Sequence, residues 1–117
     1  QTCSSDLNNL GKEMVVNTRN NGAIQGFDDD AVVEISSIID AQGARPLAFG
    51  ALPPIMNGLT QQVKAFERLT IEAAVHGCRD SALLALVSNP LVGNVTDARA
   101  LLDEVLTINR PWLTQFN

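Results

Sequence analysis

The hydrophobic period of this chain changes at Pro53-Pro54, and that change limits the folds open to it. After the two prolines, Ile55, Leu59, Val63, Phe66, Leu69 and Ala73 recur every three or four residues, the spacing that places side chains on one face of a helix. Proline suits the junction, because the first helical turn has N–H groups with no partner inside the helix. The helix is predicted to stop at Gly77, which can take a left-handed conformation after a last turn containing His76. Before the prolines the apolar residues are β-branched and come in short runs. Strands first and helices afterwards give an α+β domain: short antiparallel strands followed by three helices.

The upstream strands are read as follows. MVVNT (14–18) forms the first and NNG (20–22) ends it. A triple-Asp turn at 28–30 leads into a second strand, with Val33, Ile35 and Ile39 on one face and Val32 and Ile38 on the other, so both faces are expected to be largely buried. AQGAR (41–45) reads as a turn and PLAFG (46–50) as a third strand whose leading Pro marks its start or an edge. Turns this short favour antiparallel pairing.

Downstream, Asp80 is the expected N-cap of a short helix SALLALVS that stops at Asn89-Pro90. Thr96 is the expected cap of the last helix, with Ala98, Leu101, Leu102, Val105 and Leu106 on its apolar face. Trp112, Leu113 and Phe116 of the closing PWLTQF are expected to clasp the core. No linker or repeat divides the 117 residues, which are read as a single domain.

Charge narrows the function. A net charge of -5, with only eight scattered Lys and Arg, argues against a nucleic-acid surface or an anionic membrane as partner. No apolar run approaches the roughly 20 residues of a spanning helix, and the first residues lack the layout of a signal peptide, so a cytoplasmic location is expected. Cys3 and Cys78 sit in dissimilar surroundings and are read as free thiols.

Few residues suggest chemistry. His76-Gly77-Cys78 offers an imidazole and a thiolate, but a metal site needs three or four ligands and no second His exists; no metal ligands are assigned. Glu67 and Glu72 have no spacing that converges on one bond, and the DDD run reads as a solvated turn. Glu34, in a strand expected to be apolar on both faces, should find a donor in Arg19 or Arg45. No GxGxxG, GxxxxGK or GxSxG is present. The remaining stretch is VVNTRNNGAI. Arg19, Asn20, Asn21 and Gly22 offer a charged fork, two amides and close backbone approach, suited to a polyhydroxylated or phosphorylated ligand; Asn-Asn-Gly is equally a good turn.

In order, VVNTRNNGAI, DDDAVVE, RPLAFGALPP, QQVKAFERLTIEAAVHG, RDSALLALVSNPLV and ALLDEVLTINRPWLTQF resemble the C-terminal portion of glycoside hydrolase family 4, particularly its 6-phospho-β-glucosidases. The likeness runs from about residue 14 to the end. It implies an enzyme with an N-terminal NAD-binding half and a C-terminal α+β half similar to that of lactate and malate dehydrogenases. It further implies hydrolysis of phosphorylated β-glucosides or disaccharides by redox and elimination, with NAD oxidising the sugar at C3, Mn²⁺ polarising the new carbonyl, and a Tyr-type base removing the C2 proton.

This chain has no Tyr and none of the family's cofactor motifs, so no catalytic residues are assigned to it. By resemblance it is a C-terminal piece of a longer enzyme, inactive alone. NAD and Mn are then bound mainly by the upstream half, while this piece closes the substrate cleft and contributes to a homo-oligomer. Arg19, Asn20, Asn21 and Gly22 are its candidate substrate- or cofactor-facing lip, and Arg45 and Arg110 are assigned to structure. The alternatives are another family 4 specificity, α-glucosidase or α-galactosidase, and a non-catalytic oligomerisation module.

Overall fold

The computed structural model describes residues 8–116, so Cys3 lies outside the described residues. Contacts gather the chain into two compact units, residues 1–54 and 55–117.

The upstream unit is built on a three-stranded antiparallel sheet in the order β1 (Lys12–Arg19), β3 (Val32–Asp40), β4 (Gly43–Pro46). A small parallel pair joins β2 (Ile24–Gln25) to β5 (Gly50–Ala51). Register follows from alternation: Lys12 to Arg19 pair with Ile39 to Val32, so Asn17 faces Glu34 and Arg19 faces Val32. One face of β3 carries Val33, Ile35, Ser37 and Ile39, all buried, with Ala23 and Ile24 packed on Val33 and Ile35. The other face is only partly covered: Val32 is 55% exposed and Glu34 is exposed, Ser36 and Ile38 are half-buried, and only Asp40 at its end is buried. The expectation of two buried faces therefore fails, and with it the need for a buried donor to Glu34. Arg45 turns instead to Asp40, at 2.5 Å.

The third strand is also shifted. Residues 43–45, read as part of a turn, form β4, and Pro46, read as the start of a strand, is its last residue. Asp40 explains the shift. Its Oδ1 accepts the Gln42 N–H at 2.8 Å and its Oδ2 receives Arg45, so the turn tightens onto Ala41 and Gln42. Gly43 then reverses the chain at φ +98°, a region glycine enters without a Cβ penalty. Pro46, opposite Ser37, has no N–H to extend the ladder.

The downstream unit contains α1 (Pro54–His76), α2 (Arg79–Ser88), α3 (Val95–Ile108) and a 3₁₀ turn, Thr114–Phe116. Helix α1 begins and ends where the prolines and Gly77 place it. Two caps differ from expectation. Cys78, not Asp80, occupies the N-cap of α2, leaving Asp80 in the first turn. Asn94, not Thr96, caps α3: its Oδ1 accepts the Asp97 N–H at 2.9 Å while its Nδ2 donates to Asp97 Oδ2 at 2.7 Å. An Asn two residues upstream satisfies one of the free N–H groups at the helix start, so Thr96 falls inside the first turn.

The core of this unit is small-residued. Ala73, Ala85, Ala98, Leu102 and Ser81 are buried. Leu113 and Phe116 line an apolar cleft with Phe66, Leu102 and Leu106, as a clasp would, but Trp112 is 83% exposed and takes no part in it. The closing turn is fixed against the end of α1. Gln115 Nε2 donates to the Ala74 carbonyl at 2.9 Å, and the Gln115 carbonyl occupies the space that a Cβ on Gly77 would need. Gly77, at φ +65°, is thus required twice, for conformation and for close approach.

Two glycine substitutions should therefore differ in sign. Gly77→Ala should lower unfolding stability by about 2 kcal/mol or more, from strain and collision together. Gly58→Ala, inside α1 and facing open space, should leave stability unchanged or raise it by up to about 1 kcal/mol. Urea denaturation of both variants checks the pair.

Candidate functional site

The polar run that ends β1 folds into a two-residue turn. Asn21 (φ 45°) and Gly22 (φ 78°) both adopt the left-handed region, and the Ala23 N–H donates to the Asn20 carbonyl at 2.8 Å. Paired positive φ angles across such a bond mark a type I′ turn, for which Asn-Gly is a favoured sequence. So the stretch is a turn. It also carries an exposed edge, made by Arg19, Asn21 and Gly22.

Asn20 behaves differently from its neighbours. Its side chain is completely buried. Oδ1 accepts the Ile24 N–H at 2.7 Å, and Nδ2 donates at 3.1 Å to each of the Ile24 and Phe27 carbonyls. Its backbone N–H donates to the Ala31 carbonyl at 2.8 Å, and the Asn21 N–H to that of Asp29 at 3.0 Å. The amide is fully spent inside the loop, so Asn20 contributes position rather than a direct ligand contact. Ala23 extends the network, because its carbonyl accepts from Phe49 at 2.8 Å and Gly50 at 3.1 Å, which anchors β5 beside β2. The exposed edge is thus presented by a rigid frame.

Register adds charge to that edge. Arg19 and Glu34 occupy diagonal positions on the partly covered face of the sheet, and Asp29 stands beside Gly22. A guanidinium, an exposed amide and a carboxylate around a glycine turn can grip hydroxyl groups, and the guanidinium can also take an anion.

The other candidates resolve individually. His76 is exposed and Cys78 half-buried, and among the described residues no group of three or more His, Cys, Asp or Glu is placed to hold a metal ion. Cys78 has neighbours that sequence spacing did not reveal. The Ser81 hydroxyl and backbone N–H hold its thiol below the ordinary value, and Ser81 Oγ lies 3.2 Å from Cys78 Sγ and 3.3 Å from Glu72 Oε1. Among the described residues no helix is long and apolar enough to cross a membrane.

Comparison with known proteins gives a consistent picture. Residues 2–92 match the family 4 glycosyl hydrolase C-terminal domain. A Bacillus subtilis (strain 168) protein named "Probable 6-phospho-beta-glucosidase" is 45% identical over 113 residues, 97% of this chain and 26% of that protein. A 6-phospho-alpha-glucosidase from gut microorganisms, solved with NAD and glucose-6-phosphate, superposes with a TM-score of 0.91 at 31% identity, over 96% of this chain and 25% of that one. The 6-phospho-beta glucosidase from Thermotoga maritima, solved with manganese, NAD+ and glucose-6-phosphate, gives 0.81 at 36% identity, over 96% of this chain and 28% of that one. The chain thus spans about a quarter of the length of each.

If the frame account is right, Asn20→Ala strands one N–H and two carbonyls. Each buried group left without a partner costs about 1–3 kcal/mol, so a loss of roughly 3 kcal/mol is expected, against a small change for Asn21→Gly, which keeps the turn conformation. Chemical denaturation monitored by circular dichroism reads both.

Proposed function

Because the chain belongs to family 4 of the glycosyl hydrolases, as its C-terminal domain, we propose that it is the C-terminal part of a 6-phospho-β-glucosidase acting on phosphorylated β-glucosides or disaccharides. The observation that carries the β assignment is sequence identity: 45% to the Bacillus subtilis protein, against 31% to the 6-phospho-alpha-glucosidase. The α reading stands second, supported by the greater backbone likeness to that enzyme, with a TM-score of 0.91 against 0.81. An α-galactosidase specificity and a purely non-catalytic module have no comparable support.

On this reading the enzyme uses NAD, present in both solved relatives, and a divalent metal, present as manganese in the one from Thermotoga maritima. The described residues of this chain do not fit either one: there is no ligand cluster for the metal and no glycine cradle for the dinucleotide. Both would be held by the upstream part of the enzyme. The contribution of this chain is positional. Arg19, Asn21 and Gly22 face the substrate or cofactor, and Asn20 holds them in place.

Partners follow from the same reading. The upstream part of the enzyme is one, and a second copy in a homo-oligomer is another. Leu101, Val105 and Ile108 recur on α3 at spacings of four and three and are exposed, as is Trp112 in the turn that follows, which suits an apolar surface awaiting a partner. We place the enzyme in the cytoplasm, where sugars phosphorylated during import are found.

The lip is tested in an active enzyme that carries this chain, made by replacing the corresponding region of the Bacillus subtilis relative. Asn21→Gly, which removes the amide but keeps the turn, and Arg19→Gln should each reduce kcat/KM for a chromogenic 6-phospho-β-glucoside by about tenfold, the loss of one charged or polar contact of 1–2 kcal/mol. The melting temperature should stay nearly constant. Unchanged kinetics in both variants would remove the lip from the account.

A further inference from the structure

Three of the eight cationic side chains meet on one surface of the downstream unit. Arg99 lies on α3, Arg110 stands in the turn just after it, and Arg79, at the start of α2, lines a hollow with each of them. Asp103, between them, is paired with Arg79. Among the described residues Arg99 and Arg110 have no ion-pair or hydrogen-bonding partner.

At the Arg110 end the surface sinks into a hollow of about 400 Å³. Its polar side is Arg79, Arg110 and Asp103; its other wall is Leu106, Leu113 and Phe116. The same three apolar residues also line a second, apolar cleft of about 260 Å³. Thr107 adds no donor, because its hydroxyl proton is committed to the Asp103 carbonyl at 2.7 Å. The recognising groups are therefore two guanidiniums, one of them paired with Asp103, beside a hydrophobic wall.

We propose that this hollow binds an amphipathic organic anion, an aromatic or short aliphatic body carrying a phosphate or carboxylate head, with the head on Arg110 and Arg79 and the body against Leu106, Leu113 and Phe116. The forked guanidinium matches either head group, and the apolar wall distinguishes such a ligand from a bare ion. Asp103 acts as the internal competitor. It occupies Arg79 when the hollow is empty, and the arriving anion must displace it or share its partner. The hollow uses none of the residues Arg19–Gly22 and does not depend on the glycosidase reading.

Calorimetric titration of the chain with phenyl phosphate, benzoate and inorganic phosphate tests the proposal. Phenyl phosphate should bind more tightly than inorganic phosphate, and benzoate should compete with it. Arg110→Gln should weaken phenyl phosphate by about tenfold or more, one charge-assisted hydrogen bond. Asp103→Asn should tighten it, because Arg79 is released; a merely structural Asp103 would not produce that gain. Both residues are exposed, so folding should survive either change. Equal affinity for phenyl phosphate and inorganic phosphate, an unaltered affinity in Arg110→Gln, or no binding of phenyl phosphate by the unmodified chain would each overturn it.

Discussion

The upstream unit depends on one buried amide. Asn20 stands where β1 ends, and its side chain ties the next seven residues to itself through Ile24 and Phe27. That closure brings Ala23 into the core beside Val33 and Ile35 and aims its carbonyl at Phe49 and Gly50, which seats the last strand of the unit. A hydrophobic residue at position 20 could be buried equally well, yet it would leave two carbonyls and an N–H without partners. Hydrophobic burial supplies the driving force, but the amide selects which loop conformation receives it.

Gly77 plays the corresponding part downstream. The α-helices bury mainly alanines, so they pack closely, and the C-terminal turn can settle on α1 only because one position lacks a Cβ. Both units thus use a single residue of unusual requirement to fix a segment that propensity alone leaves free. In the proposed enzyme this rigidity has a purpose. A lip that contributes no catalytic group is useful only if its position is reproducible, since misplacement of about an ångström in a binding contact can cost as much as losing it.

Much of the fold was legible in the residues. The period change at Pro53-Pro54, the spacing from Ile55 to Ala73 and the stop at Gly77 gave α1 and the α+β class, because each rests on strong local physics. Errors arose where a local signal had two solutions. Pro46 can open a strand or close one, and the Asp40 side chain decided in favour of closing. Thr96 and Asn94 can both cap, and the one farther upstream won. The parallel β2–β5 pair has two residues in each strand, too few for alternation to register. Residues 19–22 were recognisable as polar and as a turn, but sequence gave Asn20 and Asn21 the same weight. Only the fold separates them, sending one amide inward and the other out. Arg110 shows the reverse. It was assigned to structure on sequence, yet it stands without a partner among the described residues beside an apolar wall that no linear pattern brings to it.

In the proposed function this domain completes a 6-phospho-β-glucosidase whose chemistry lies elsewhere in the enzyme. The most direct measurement is hydrolysis of a chromogenic 6-phospho-β-glucoside, with NAD and Mn²⁺ present, by three samples: this chain, the upstream part of the Bacillus subtilis relative lacking its own C-terminal region, and the two combined. The account predicts silence from each alone and hydrolysis from the mixture. Hydrolysis by this chain alone, or by the upstream part equally well with and without it, would contradict the account.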